Sequence, residues 1–498
     1  MNENKDTALS FFNHFRAELR SFIGLDLEFI PSNKEHELIE YQLQSNSIQD
    51  VLVHKLFDRL LGKVTTVLSN YYDRSAEFEL QQLISVVEEI ALLIIFHPHI
   101  DKQKKLKPYA FVKLLKDIST KTYESAHTAL GFFYFKAKSS DIQQELSSYP
   151  FEYIPLEFPI DIRGFIADKR SLKLVDNEHI SLVVNHNFFV TGFVRRQTEC
   201  NTIRSVVLNL YNEIDEWQLR QLYYEGMYEY ISCKTTKEEF ESTAYEQFMS
   251  DIHMQLQKIN KRNREKKKAF PSFQFIDINN SDINWYTDHN FTLRLSNGSW
   301  KVKHYLAFKS MFLEIFLPYN NKEMVSFLMK GTSAFHQSLI DLTVKRIDKM
   351  VNLIKRLGQA GKGALFIILC DSPCGATHEP VLFNTALQQI PASMLLRGST
   401  SLQKFTPIIK QEDYALNILR CDLSYLELIS TIDGAVIFDS SFNILSFGEL
   451  LDVSNVRTEA LGARTAAAYA GSRFGIAVKV SQDGDVVMLQ NGKTLIEI

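Results

Sequence analysis

Glycine is spread so unevenly along this chain that it suggests two kinds of architecture joined end to end. Only 8 of the 20 glycines precede residue 358, and the other 12 fall in residues 358–498. Glycine permits tight turns and close backbone approach, so the early part reads as helix-rich and the late part as turn-rich. All three tryptophans, Trp217, Trp285 and Trp300, lie in the early part. A chain of 498 residues has room for about three structural units. Its 45% apolar and 23% charged residues exclude a disordered or collagen-like polymer.

The early part divides by its periodicity. Phe11, Phe12, Phe15, Leu19 and Phe22 recur at helical spacing, as do Val51, Leu52, Leu56, Leu60 and Leu61, then Leu80, Leu83, Val86, Val87 and Ile90. Residues 1–150 are therefore expected to be a helical region. From 150 the period changes. Runs 179–184 and 188–194, separated by Asn185-His186-Asn187, read as a β-hairpin. Asn297-Gly298 between alternating runs at 291–295 and 300–302 is a stronger hairpin signal. Thr236-Lys237-Glu238-Glu239 is a capping box that opens a long helix. That helix closes in the basic run Lys258, Lys261, Arg262, Arg264, Lys266, Lys267 and Lys268. The run reads as a solvated helix end whose charge suits the macrodipole, with a phosphate- or nucleic-acid-binding patch as the alternative; aromatics do not interleave it, so single-strand stacking has little support. A second long helix is expected over 332–357, with Phe335, Leu339, Val344, Ile347, Val351 and Ile354 on one stripe. Residues 151–331 thus read as an α+β region and residues 332–498 as a separate domain.

Several function classes are set aside on composition. Acidic residues number 59 against 55 basic ones, for a net charge of −4, so the overall basic field of a general nucleic-acid binder is absent. The apolar run 90–96 is far shorter than the ~20 residues needed to span a bilayer. No secretory leader is visible, and a cytoplasmic location off the membrane is expected. Five cysteines, Cys200, Cys233, Cys370, Cys374 and Cys421, are too few and too scattered for a disulfide framework or a zinc site. His97-Pro98-His99 closes an apolar helix and reads as a helix end carrying two surface histidines.

Chemistry is suggested in the late part. Residues 363–369 form an apolar run of strand type, and Asp433-Gly434-Ala435 opens another. A carboxylate at a strand end, beside a residue without a side chain, suits a metal and a closely approaching nucleotide. The alternative is a plain turn before a strand. Gly462-Ala463-Arg464-Thr465 opens a small-residue helix. Free N–H groups at a helix start together with a guanidinium make a phosphate site. Here the alternative is an ordinary helix start with a surface arginine. Three strands joined at Asp483-Gly484 and Asn491-Gly492 close the chain. Buried strands mixed with helices imply an α/β fold, a mixed central sheet flanked by helices.

Taken in order, these segments resemble the diadenylate cyclase domain over roughly residues 335–498. The likeness rests on Gly363-Ala364-Leu365, Asp433-Gly434-Ala435, Gly462-Ala463-Arg464 with Ala467-Ala468, and Val480-Ser481 through Asn491-Gly492. The resemblance implies condensation of two ATP molecules into cyclic di-AMP, with a divalent Mg or Mn ion, under control of an N-terminal sensor region. Asp433 would then hold the metal and, with Arg464, act in catalysis. Gly434, Ala435, Gly462, Ala463, Thr465 and Ser481 would bind nucleotide. Because each subunit holds one ATP, a homodimer or higher homo-oligomer is implied. The chain departs from the family pattern at three places. Ile432 replaces a histidine, Thr465-Ala466 replaces His-Arg, and Gln482-Asp483 replaces Glu-Glu. These changes spare the binding frame more than the charged groups, so a catalytically degenerate domain that senses ATP or a cyclic dinucleotide is the alternative. Arg457, Arg473 and Lys479 are nearby cations that could stand in for the missing ones, and sequence alone does not place them.

Overall fold

A computed structural model describes residues 2–31, 39–43, 48–73, 85–96, 102–123, 126–127, 129–136, 142–197, 201–234, 242–266, 271–279, 281–287, 291–316, 333–370, 390–396, 410–411, 414–456 and 462–498. His97-Pro98-His99, the capping box at 236–239, Cys374 and Arg457 lie outside the described residues. Among the described residues, no helix is long and apolar enough to cross a membrane. The chain separates into two compact units, one formed by residues 1–215 and 261–304, the other by 216–260 and 305–498.

The first unit is built on an eight-stranded mixed sheet. Its strands are β1 (Leu130–Phe135), β2 (Phe151–Asp161), β3 (Ile180–Asn185), β4 (Phe189–Arg196), β5 (Phe273–Asn279), β6 (Asp282–Tyr286), β7 (Thr292–Ser296) and β8 (Ser299–Lys303). They lie in the order β8-β7-β6-β5-β1-β3-β4-β2. Both expected hairpins form, β3–β4 and β7–β8. The expectation of a helical region over 1–150 needs correction, because β1 is a central strand of this sheet. The run Leu-Gly-Phe-Phe-Tyr-Phe is buried along its whole length and shows no alternation. On one face Phe133 packs edge-on against Phe273 and Phe275, at ring separations of 4.9 and 5.1 Å.

The second unit holds a six-stranded mixed sheet. Its strands are β9 (Ala364–Leu369), β10 (Ala435–Phe438), β11 (Ile444–Glu449), β12 (Gly475–Val480), β13 (Val486–Gln490) and β14 (Lys493–Glu497). The order is β11-β10-β9-β12-β13-β14. Only β9 and β10 run parallel. A parallel pair needs a long crossover, and the segment between these strands includes the helix α3 (Leu423–Ser430), begun by Asp422, whose carboxylate accepts from the Tyr425 N–H. The long helix α2 (Ser333–Gln359) forms where the apolar stripe predicts it, with Val344, Ile347, Val351 and Ile354 fully buried. It packs against the helix α1 (Tyr305–Phe316) and α3. On one sheet face Leu365, Ile367, Ala435, Ile437, Ala477 and Leu489 cluster with Ala468 of α4 (Ala463–Gly471). This is the α/β arrangement expected, a mixed sheet flanked by helices.

One buried group makes stability in the first unit pH-dependent. His304 is fully buried, its ring 4.5 Å from that of Phe57 and 5.8 Å from that of Phe291. Burial pushes the imidazole down to about 4, and a hydrogen bond with the Leu56 backbone only partly offsets this. The unfolded chain takes up that proton near pH 6.5 while the folded chain resists until about 4. The stabilisation is therefore complete above the unfolded value and is lost as pH falls through this window, by about 3 kcal/mol. Urea unfolding at pH 7 and pH 4.5 should show His304→Gln losing less stability on acidification than the parent protein.

Candidate functional site

The sheet register decides which segments of the second unit meet. Phe366 pairs with Val436 in the parallel ladder, and Ala364 pairs with Val480 in the antiparallel one. Extended outward, those registers set Gly363 in a row between the Asp433-Gly434 turn and Ser481. Three segments far apart in sequence thus emerge at one end of the sheet. Helix α4 begins there too. Its cap is Gly462, in extended conformation with no side chain to cap the helix, so the first N–H groups of the helix have no capping partner.

The side chains at this end are distinctive. A Cβ at Gly363 would lie 2.1 Å from Nη1 of Arg464 and 3.0 Å from its Cζ. The Arg464 guanidinium therefore rests on the bare backbone that opens β9. Arg464 is half-buried and, among the described residues, has no ion pair or hydrogen bond. Thr465 follows it in the first turn, and Lys479 Nζ on β12 donates to Thr465 Oγ1 at 3.1 Å. Lys479 pairs with Leu365, whose side chain belongs to the cluster on the face covered by α4. Of the other two nearby cations, Arg473 is exposed and donates to the Asn455 carbonyl at 2.9 Å. Lys479 is the described cation that joins Arg464 at the helix start.

Asp433 is exposed and has no hydrogen bond or ion pair among the described residues. Gly434, next to it, has φ +113°, and a Cβ there would fall 2.5 Å from the Gly448 carbonyl carbon and 2.8 Å from the Glu449 nitrogen. The turn is thus pressed against β11 at a point where backbone meets backbone. Ala435 is fully buried beneath it. Ala463 is exposed at the helix start. Ser481 is half-buried in the closing hairpin, its N–H donating to the Asp485 carbonyl at 2.8 Å.

Glu449, which the sequence did not bring to notice, is 1% exposed opposite Ala435 and accepts from Ser446 Oγ at 2.5 Å. Its only signal was an acidic residue ending an apolar strand. No three His, Cys, Asp or Glu side chains cluster as a metal site among the described residues. Asp433 offers one exposed carboxylate, a single hard oxygen ligand. Cys421 is buried, and burial pushes its thiol up to about 11, far from a reactive thiolate.

No known family profile matches the chain, and no curated protein matches it. Among solved structures, the chain is similar to DacA from Staphylococcus aureus, at 20% identity over 31% of this chain and 87% of that one, with a TM-score of 0.20. It is also similar to a hypothetical membrane-spanning protein from Bacillus cereus, at 18% identity over 38% and 88% of the two chains, again with a TM-score of 0.20.

The two glycines should respond differently to a methyl group. At Gly434 the obstacle is backbone and φ is unfavourable for other residues, so Gly434→Ala should cost about 3 kcal/mol. At Gly363 the obstacle is the tip of a flexible arginine, so Gly363→Ala should cost less than about 1 kcal/mol. Urea unfolding of the two variants measures the difference.

Proposed function

We propose that the second unit is a nucleotide-binding domain of the diadenylate cyclase type that condenses two ATP molecules into cyclic di-AMP. One observation carries this reading: the Asp433-Gly434-Ala435 turn, the bare Gly363 backbone and the Arg464 helix start, three separate parts of the family resemblance, meet at one sheet end. In this reading Arg464 and the first turn at Thr465 grip phosphates. Gly434, Ala435, Gly462, Ala463 and Ser481 line the nucleotide's approach. Asp433 would help hold Mg²⁺ or Mn²⁺ carried on the nucleotide, and that ion would neutralise charge as pyrophosphate departs. Such transfer depends mainly on positioning and charge stabilisation.

Each domain offers one nucleotide, so two copies must face each other, and a two-fold homodimer supplies that contact. The remainder of the chain would control the encounter in response to a signal. An ATP substrate would suit a cytoplasmic location. A second reading, nucleotide sensing without turnover, is favoured by Ala466. It stands where the family has a second arginine, and it is buried against the sheet.

Full-length protein incubated with ATP and Mn²⁺ or Mg²⁺ should yield cyclic di-AMP detectable by mass spectrometry. The rate per chain should rise with protein concentration, and Asp433→Asn should lower it by about 100-fold or more. ATP binding by calorimetry with no product at any concentration would replace the enzyme reading by the sensor reading.

A further inference from the structure

We infer that Lys479 and Arg464 form a two-cation clamp that selects a nucleoside polyphosphate over a nucleotide bearing single phosphates. The inference rests on the nucleotide-binding reading above and adds to it a residue and a selectivity. Arg464 comes from the helix and lies over Gly363, while Lys479 comes from the sheet and reaches Thr465 Oγ1 at 3.1 Å. The two strand positions involved, Gly363 and Lys479, belong to the same sheet face, since Lys479 pairs with Leu365. The two positive side chains therefore converge from different elements on one helix turn.

Neither has a carboxylate partner among the described residues, although the chain carries more acidic than basic groups. Other cations of this unit do have carboxylate partners. Arg220 is held by Glu216 and Asp341, and the almost fully buried Lys309 lies 2.6 Å from Asp348. Two cations kept together without an acid repel one another unless an anion joins them. A triphosphate brings three to four negative charges on adjoining groups, which both cations can share. A monophosphate brings about half that charge, and each phosphodiester of a cyclic dinucleotide a single charge, so either engages the pair less strongly than a triphosphate.

The experiment is calorimetric titration of the full-length protein with 3′-deoxy-ATP, 3′-deoxy-AMP and cyclic di-AMP. The 3′-deoxy compounds lack the hydroxyl that would react. The triphosphate should bind most tightly in the parent protein. Lys479→Met should weaken it about tenfold while changing monophosphate affinity less than about twofold, and Lys479→Arg should retain most of the triphosphate affinity. Lys479→Gln makes the same test if the methionine variant does not fold. Triphosphate binding of unchanged strength in the folded methionine or glutamine variant overturns the clamp and leaves the nucleotide-binding reading intact. A parent protein that binds none of the three ligands overturns both.

Discussion

The parallel pairing of β9 with β10 is the constraint on which the candidate site depends. Residues near 363 and near 433 share a sheet end only because Phe366 lies against Val436. A slip of one residue would turn the side chains of β10 to the opposite face. It would carry Ala435 and Ile437 out of the cluster they form with Leu365, Ile367 and Ala468. The apolar pattern of β10 thus fixes the placement of a polar turn that makes no contribution to that core. The same holds for β12, where Val478 and Val480 are buried and Lys479 between them is directed to the face of α4.

Two glycines serve this arrangement in different ways. Gly434 lets one strand turn press against the backbone of its neighbour, which makes it part of the frame. Gly363 leaves room for a guanidinium, which makes it part of the site. The glycine density of the late sequence was readable as a need for tight turns and close approaches. Which glycine met which need depended on Arg464, more than a hundred residues away, in one case and on Gly448 and Glu449, across a hairpin, in the other.

Much of the second unit was legible because its signals are local. The stripe of α2, the Asp-Gly and Asn-Gly hairpins, and the small-residue helix after Gly462 each declare themselves within a short contiguous segment. The first unit was less legible. The run at 130–135 lacks the alternation that marks a half-buried strand, because it is flanked on both sides, by β5 and β3, and buried throughout. Compact boundaries were hidden for a similar reason. The segment 216–260 belongs with residues 305–498, through contacts that no local pattern announces. Tyr224 and Arg220, for example, reach Gln337 and Asp341 on α2. A division of the chain at residue 332 would therefore cut through a compact unit.

The residues in the first turn of α4 make physical sense once the helix geometry is known. Arg464 and Thr465 are half-buried in the first turn, whereas Ala466 is 2% exposed against the core. A small side chain there lets α4 lie close on the sheet, and Ala468, Ala470 and Gly471 continue the same close packing. A Cβ at Gly471 would fall 2.4 Å from Ile367 Cδ1 and 3.1 Å from Leu451 Cδ1, so both side chains would have to shift. A long cationic side chain at 466 would hold the helix away from this surface. Positive charge at this end of the helix is instead supplied from the sheet, by a lysine whose position is set by strand register. The helix can therefore pack tightly and the site can keep two cations, because the second one belongs to a different element.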